Sequence, residues 1–278
     1  MKNDPALPLA DRRPEDVPGH WLLARLGKRV LRPGGLETTD WLLRHADLPG
    51  RDVVELAPGL GRTARDILAA GPASYVGVDA DPAAVATVEG VVGVRGRCVL
   101  AQAQATGLPD ASADVVVGEA MLSMQGERGK REIVAEAARV LRPGGRYVVH
   151  ELGLVPDDLD GGRKEELRKA LARSIKVNAR PLTVAEWREL LESAGLEVEA
   201  TTTAPMALLE VRRNVADEGL GGVLRIVWNV LRQPDARRRV LAMRRVFREN
   251  RDVLVGVGLV ARRPAQPAPE NDDERDLP

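Results

Sequence analysis

The sequence of 278 residues contains a single cysteine, Cys98, and lacks long apolar runs. One cysteine cannot form an internal disulfide, and no cluster of Cys and His has the spacing of a structural zinc site. We therefore expect no bound metal and a reducing compartment, the cytoplasm. No run of about 20 apolar residues is present that could span a bilayer, and residues 1–18 lack the apolar stretch of a signal peptide.

The sequence also lacks an excess of charge and is poor in aromatic residues. Lys and Arg together number 41, and so do Asp and Glu, so no global basic field would attract nucleic acid. Aromatic residues make up 3% of the chain, which disfavours a substrate bound by ring stacking. We expect no nucleic-acid partner, and the sequence does not specify an oligomeric state.

Composition along the chain predicts one domain between two tails. Proline and charge dominate residues 1–18 and 263–278, which are predicted to be loose. Residues 19–262 are predicted to form one α/β domain, because the pattern of alternating strands and helices never restarts. The domain begins with two cap helices within residues 19–50, and a helical insertion at 205–250 is predicted to cover the ligand crevice as a lid.

Apolar periodicity predicts the sheet. Between Asp52 and Leu152, five strand patterns are separated by helical patterns or turns, which implies a parallel, doubly wound sheet. Two further apolar strands are expected near residues 196–203 and 252–261. The predicted fold is therefore α/β and Rossmann-like, with a doubly wound, mostly parallel seven-stranded sheet and a helical lid insertion.

The sharpest motif, ELAPGLGRT, lies at residues 55–63, where the first strand turns into a helix. Glycine permits a tight turn and a close approach of backbone to ligand, and the helix N-terminus offers unpaired N–H groups. Asp79 ends the next strand roughly 20 residues later, where a carboxylate can accept hydrogen bonds from both ribose hydroxyls. These features predict a nucleoside pocket.

The identity of the nucleoside is ambiguous from the loop alone. Residues 59–64 also satisfy the dinucleotide fingerprint G-x-G-x-x-A. However, an NAD loop usually follows an apolar strand directly, whereas Glu55 and Pro58 precede the first glycine here. An acid at this position suits a methionine ammonium better than a pyrophosphate.

Four landmarks, in order and spacing, resemble the class I S-adenosylmethionine-dependent methyltransferases, particularly the group related to the ubiquinone and menaquinone C-methyltransferases. The resemblance covers roughly residues 52–200. The landmarks are VVELAPGLG at 53–61, VGVDADP at 76–82, LPDASADVVV at 108–117 and ARVLRPGG at 138–145.

The resemblance implies S-adenosylmethionine as the cofactor and assigns roles to residues around it. Glu55 would hold the methionine amino group, while the turn containing Ala57, Gly59 and Gly61 would pack against the cofactor. Asp79, next to Ala80, would hold the ribose.

The adenine side of the site departs from the family pattern. Gln102, followed by Ala103, stands where the family often has an Asp that accepts a hydrogen bond from adenine, and a Gln carbonyl can still accept that bond. Ala57 and Thr63 replace the first and third family glycines, which predicts a somewhat stiffer loop. Glu119 is also expected to contact the cofactor, at its methionine end.

A general base is optional, because methyl transfer from a sulfonium is an in-line displacement that mainly needs positioning and exclusion of water. An acceptor that must lose a proton would benefit from one. The candidates are Glu119, His150 and Glu151, which end the fourth and fifth strands. Alternatively, His150 is a hydrogen-bonded structural residue and Glu151 forms a salt bridge. Trp21, beside His20 on the leading helix, lies either near the sulfonium or in the core.

The insertion combines an apolar helix at 220–231 with an arginine-bearing helix at 236–251. This combination is compatible with peripheral membrane contact or with an anionic, lipid-like substrate. The interpretation that we favour is a lid whose apolar side packs on the domain and whose arginines are solvated.

The leading hypothesis is methyl transfer to O, N or C of a small organic acceptor, which could be hydrophobic. One alternative is an NAD-dependent oxidoreductase that uses the same loop. Another is a noncatalytic protein that binds a nucleoside cofactor and uses the helical insertion to contact a partner or a membrane.

Overall fold

The computed structural model describes residues 13, 16–29, 31–206, 208–209 and 211–265. Apolar strand segments alternate with helices along these residues. The strands are β1 (Asp52–Leu56), β2 (Ser74–Asp79), β3 (Arg97–Leu100), β4 (Ala113–Glu119), β5 (Leu141–Leu154), β6 (Leu182–Thr183), β7 (Glu197–Pro205) and β8 (Leu254–Arg262). The helices are α1 (Gly19–Arg25), α2 (Gly35–Ala46), α3 (Arg62–Ala69), α4 (Pro82–Val92), α5 (Glu127–Val140), α6 (Gly161–Ile175), α7 (Val184–Glu192), α8 (Val211–Arg232) and α9 (Pro234–Glu249).

The strands form one mixed sheet in the order β3-β2-β1-β4-β5-β8-β7, and β6 pairs separately with the end of β5. Strands β1 to β5 are mutually parallel, whereas β8 runs antiparallel to β5 and β7. The predicted Rossmann-like, mostly parallel sheet is therefore confirmed. The described residues form eight strands instead of seven, because β6 has two residues and is too short to show an apolar alternation.

The strand order places a crevice between β1 and β4. From β1 the chain continues to β2 and β3 on one side, and it then returns to form β4 on the other side. Ligands of open α/β sheets bind at the carboxyl ends of the strands at such a reversal. The carboxyl ends that flank it are Leu56 of β1 and Glu119 of β4.

Helices cover both faces of the sheet. Helices α5 and α7 pack an apolar cluster against one face, and α2, α3 and α4 pack another against the opposite face. A third cluster joins α1, α6 and α9 to the carboxyl end of β5. A capping box opens α7: the Thr183 hydroxyl accepts a hydrogen bond from the Glu186 N–H, and the Glu186 side chain accepts one from the Thr183 N–H.

The ends of the domain differ from the predicted boundaries. Most of both predicted tails lies outside the described residues, but Val17 is fully buried. At the other end, the Arg263 N–H donates to the Gly145 carbonyl of β5 at 2.8 Å, so the chain continues its pairing with β5 past residue 262. Helix α1, the first of the two predicted cap helices, ends at Arg25, and Gly27 follows with a left-handed φ of 97°.

Helix α8 is only partly packed on the domain. Val223, Ile226 and Val230 are half-buried, in agreement with a lid that packs on the domain. Other apolar residues of the same helix are exposed, contrary to that expectation. They are Leu220, Leu224, Val227, Trp228 and Leu231. Within the described residues, no helix is long and apolar enough to cross a bilayer.

Candidate functional site

A cavity of about 360 Å³ opens at the carboxyl ends of β1, β2 and β4. Its volume lies in the range typical of small-molecule sites, roughly 300–1,000 Å³. Most of the residues predicted from the sequence to bind the cofactor line it. They are Glu55, Ala57, Gly59, Asp79, Ala80, Gln102, Ala103 and Glu119. Gly61 does not line the cavity and instead occupies the N-cap of α3.

The turn after β1 uses three left-handed residues to enter α3. The φ values are 53° at Ala57, 56° at Gly59 and 67° at Gly61. A left-handed conformation costs an L-residue about 1–2 kcal/mol, so the surrounding structure must compensate for it at Ala57. At Gly61, a Cβ would lie 3.1 Å from Cγ2 of Val91, which leaves little room for a side chain. The turn is thus both tight and closely packed.

Asp79 lies at the tip of β2 in the cavity wall. Its Oδ2 accepts a hydrogen bond from the Gly59 N–H at 3.1 Å, and its Oδ1 accepts one from the Asp81 N–H at 3.0 Å. Burial raises the pKa of Asp79, although these backbone donors partly oppose the shift. Each carboxylate oxygen can accept more than one hydrogen bond, so Asp79 retains the capacity to bind ligand hydroxyls.

Glu55 lines the same cavity from the end of β1, with only 3% of its surface exposed. The Tyr75 hydroxyl donates to Glu55 Oε2 at 2.7 Å. Burial raises the pKa of Glu55 to about 8, and the charge of Glu119 adds to the shift. An ammonium group in the cavity would reverse this effect by favouring the carboxylate. Glu55 therefore suits a cationic ligand group.

Gln102 and Ala103 form part of the wall after β3, and the strand pairing holds their segment in place. The Ala101 N–H donates to the Asp79 carbonyl at 3.0 Å, and the Ala105 N–H donates to the Gln102 carbonyl at 3.0 Å. The Gln102 side chain is exposed. It lies at the wall without a side-chain hydrogen bond to another described residue.

Glu119 ends β4 and is the centre of a buried polar network. Its carboxylate pairs with the Arg32 guanidinium and accepts hydrogen bonds from the hydroxyls of Thr39, at 2.6 Å, and Thr63. The Arg32 Nη1 also donates to both hydroxyls, each at 2.8 Å. Burial alone would raise the pKa of Glu119, but Arg32 and His150 outweigh it and hold that pKa well below its ordinary value.

His150 belongs to this network and does not line the cavity. Its side chain is fully buried. Nδ1 lies 2.9 Å from Glu119 Oε1, and Nε2 contacts the Pro33 carbonyl. Because both ring nitrogens face acceptors, neither is available to take a proton from a ligand. The geometry thus supports the structural alternative for His150.

Glu151 holds the segment after β4 and is also absent from the cavity wall. Its carboxylate accepts backbone hydrogen bonds from Met121 at 2.8 Å, Leu122 at 2.6 Å and Ser123 at 3.0 Å, as well as one from the Ser123 hydroxyl. Burial raises the pKa of Glu151, and these donors oppose the shift. The residue forms no salt bridge with another described residue; instead it anchors a short 3₁₀-helix, Leu122–Met124.

The structure adds residues that the sequence analysis missed. Arg32 and Thr39 come from the segment that precedes the sheet, and Tyr75 comes from β2. Thr63 lies in the motif but was considered only as a replacement for glycine. The sequence around Arg32, Thr39 and Tyr75 carries no motif, so the roles of these residues depend on contacts between distant parts of the chain.

His20 and Trp21 of α1 lie at the edge of the site, where both line the cavity. Their ring centroids are 4.9 Å apart. Burial lowers the pKa of His20 to about 4, so its imidazole is neutral at neutral pH. Among the described residues, no group of three or more His, Cys, Asp or Glu side chains is arranged to hold a metal ion.

Comparison with known proteins identifies the family. A family model described as a methyltransferase domain matches residues 54–149. An uncharacterized protein of Haemophilus influenzae is 33% identical over 224 residues, which cover 78% of this chain and 87% of that protein. A Mycolicibacterium smegmatis protein named a probable S-adenosylmethionine-dependent methyltransferase is 35% identical over 186 residues, 63% of this chain and 66% of its own length. The chain belongs to the class I S-adenosylmethionine-dependent methyltransferases.

Solved structures agree with this methyltransferase fold. Phosphoethanolamine N-methyltransferase 2 of Haemonchus contortus, in complex with phosphomonomethylethanolamine and S-adenosylhomocysteine, superposes with a TM-score of 0.65 at 15% identity. The aligned part covers 88% of this chain and 57% of that one. The family match and the Mycolicibacterium relative give S-adenosylmethionine as the cofactor, and the nicotinamide alternative is not supported. The cavity is compatible with this cofactor, because its wall contains the buried acid Glu55 and the Asp79 carboxylate, which has spare acceptor capacity.

The buried ion pair of the methyltransferase predicts a large loss of stability when Arg32 is replaced. Arg32→Met leaves the Glu119 carboxylate buried without its cation, and we expect the free energy of unfolding to fall by about 3–5 kcal/mol. Chemical denaturation measures it. The added substitution Glu119→Gln should recover part of the loss because it removes the unpaired charge.

A matched control is Arg51→Ala, which removes a pair to Asp47 in which both side chains are about half exposed. It should cost far less than Arg32→Met, because an exposed ion pair is screened by water and salt. The interpretation of Arg32 is contradicted if Arg32→Met costs as little as this control.

Glu55 predicts a specific pH dependence of stability in the cofactor-free enzyme. Its folded-state pKa of about 8 lies above the ordinary 4.5, so the folded state retains a proton that the unfolded state has lost between these values. Stability from this group is complete below about pH 4.5 and is lost as the pH rises through about 8, by up to about 1.4 kcal/mol per unit. Glu55→Gln, which still accepts from Tyr75, should remove this slope. If the free energy of unfolding changes with pH in the same way for wild type and Glu55→Gln from pH 5 to 8, the predicted role of Glu55 is contradicted.

Proposed function

We propose that this methyltransferase transfers the methyl group of S-adenosylmethionine to an O, N or C atom of a small organic acceptor. The observation that carries the proposal is the placement of Asp79 and Glu55 in the wall of one cavity, next to the left-handed turn after β1. The bound cofactor supplies an electrophilic methyl group on a sulfonium, which is transferred by in-line displacement.

The residues of this chain bind and orient the cofactor. We assign the ribose hydroxyls to Asp79, whose oxygens keep acceptor capacity beyond their two backbone bonds. We assign the methionine ammonium to Glu55, which would release its proton on binding. The turn with Ala57 and Gly59 supplies the backbone wall, and Gln102 with Ala103 borders the adenine.

We propose that Glu119, His150 and Glu151 act by positioning and not as general bases. Glu119 is neutralised by Arg32, His150 has acceptors at both nitrogens, and Glu151 holds backbone donors after β4. A displacement from a sulfonium proceeds without a dedicated base when the acceptor is held in line and water is excluded.

The buried, unpaired thiol of Cys98 is consistent with action in the reducing cytoplasm.

Calorimetric titration with S-adenosylhomocysteine and, separately, with NAD tests the proposed cofactor contacts. We expect binding of S-adenosylhomocysteine and none of NAD. Asp79→Ala should weaken the binding of S-adenosylhomocysteine by about 1–3 kcal/mol, because charged hydrogen bonds to the ribose are lost. The neighbouring Asp81→Ala serves as the control: Asp81 caps α4 through the Ala83 N–H, so its loss should lower stability but leave affinity nearly unchanged. Unchanged affinity in Asp79→Ala would refute the ribose assignment.

We also propose that α8 contacts an anionic membrane surface. Leu220, Leu224, Val227, Trp228 and Leu231 recur at helical spacing on one face, and each is between 48% and 71% exposed. Residues 220–249 carry eight arginines and two acidic residues, which complement anionic headgroups. An apolar stripe with a tryptophan beside clustered arginines is typical of helices that lie in the membrane interface.

Co-flotation with vesicles tests this contact. We expect the enzyme to bind vesicles containing phosphatidylserine more strongly than pure phosphatidylcholine vesicles, and added salt should weaken the binding. Trp228→Ser should reduce vesicle binding about tenfold. Val94→Ser, at an exposed apolar residue remote in sequence, is the control. Equal binding by Trp228→Ser and wild type, or a dimer in solution that Trp228→Ser dissociates, would overturn the membrane proposal.

A further inference from the structure

The cavity at the carboxyl ends of β1, β2 and β4 is called the cofactor cavity. A second cavity, of about 80 Å³, adjoins it. We call this second cavity the apolar chamber. Side chains of α1, α6 and α9 enclose it together with the segments after β4 and β7. Its wall includes His20, Ser123, Ala179, Met206 and Met243.

The apolar chamber meets the cofactor cavity at a shared wall. His20, Leu31, Ala120 and Met124 line both spaces. Ala120 directly follows Glu119 at the end of β4, so the contact lies beside the part of the cavity that we assign to the methionine end. A group in the chamber would therefore approach the cofactor near its sulfonium.

The chamber wall is almost entirely hydrocarbon or thioether. Its polar side chains are His20 and Ser123. The Ser123 hydroxyl donates to Glu151 and accepts from the Leu152 N–H at 3.3 Å, so it is already engaged. His20 has no side-chain hydrogen bond to another described residue, and its ring lies at the shared wall. The chamber thus offers an apolar space in which, among the described residues of its wall, His20 is the polar side chain that keeps free hydrogen-bonding capacity.

We propose that the apolar chamber binds the apolar part of the methyl acceptor, and that His20 hydrogen-bonds the acceptor's hydroxyl or amine where the chamber meets the cofactor cavity. An apolar cavity of about 150 Å³ accommodates benzene, so this chamber suits a smaller group, such as a chain of about three or four carbons. Burial keeps the imidazole neutral, with one nitrogen free to accept a hydrogen bond. The inference rests on the proposed function, because it takes the adjoining cavity as the cofactor site.

Methionine methyl groups report on the two cavities separately. Met206 and Met243 line only the chamber, Met121 lines only the cofactor cavity, and Met124 lines both. In NMR spectra of protein with ¹³C-labelled methionine methyls, S-adenosylhomocysteine should shift Met121 and Met124. Absence of these shifts would count against the proposed function and not against the chamber.

Short primary alcohols are the probe for the chamber, titrated into the enzyme saturated with S-adenosylhomocysteine. We expect saturable shifts at Met206 and Met243 while Met121 stays unchanged. Affinity should rise about fourfold per methylene from ethanol to 1-butanol and then level off when the chamber is full. Shifts that grow linearly at all methionines, or none at Met206 and Met243, would overturn the proposal.

Two substitutions change the size of the chamber in opposite directions. Ala179→Met fills it, and affinity should level off at a shorter alcohol. Met243→Ala enlarges it, and affinity should level off at a longer one, as followed at Met206. Leu241→Ala changes an exposed residue of the same helix and serves as the control. If affinity levels off at the same alcohol in the wild type and all three variants, the assignment is refuted. Met243→Ala keeps the test valid if Ala179→Met does not fold.

His20→Phe tests the hydrogen bond while keeping an aromatic ring in the wall. It should weaken the binding of 1-butanol about three- to tenfold, because one hydrogen bond is lost. Binding of 1-chlorobutane, which has no hydroxyl proton, should stay unchanged. Equal losses for both ligands would show that His20 only shapes the wall and would overturn its assigned role.

Discussion

The buried ion pair between Arg32 and Glu119 joins the N-terminal segment to the sheet at the edge of the cofactor cavity. Two charges removed from water are tolerated only if their remaining hydrogen bonds are satisfied. Thr39 of α2, Thr63 of α3 and His150 of β5 provide these bonds. The network therefore ties four parts of the chain together, and it holds the N-terminal helices against the crevice.

This arrangement separates residues that keep free acceptor capacity in the cavity wall from residues that hold the site together. Asp79 and Glu55 keep acceptor capacity towards the cavity, whereas Glu119, His150 and Glu151 use their polar atoms on the protein itself. The division suits a displacement reaction, in which rate depends on alignment and exclusion of water more than on proton transfer. Rigid support around a few cofactor contacts is consistent with that requirement.

The two proposals about the acceptor side are physically compatible. The apolar chamber lies beneath α1 and α9, and the exposed apolar face lies on α8, which precedes α9 in the same insertion. The arginines of α8 and α9 would attract an anionic surface, and the chamber would accept a small apolar group. Each proposal depends on its own contacts, so one can fail without the other.

The sequence alone determined the sheet and the cofactor turn, because both depend on local signals: apolar alternation, glycines at a strand end and a carboxylate at the next strand end. Glu55, Asp79 and Gln102, which lie at or beside these signals, all line the cavity, and their contacts with the cofactor stay a prediction. Only the tertiary structure decided the orientation of His150 and Glu151 and the partners of Glu119. Their contacts join segments separated by about 30 to 120 positions, and no local pattern encodes which of these side chains meet once the sheet has formed.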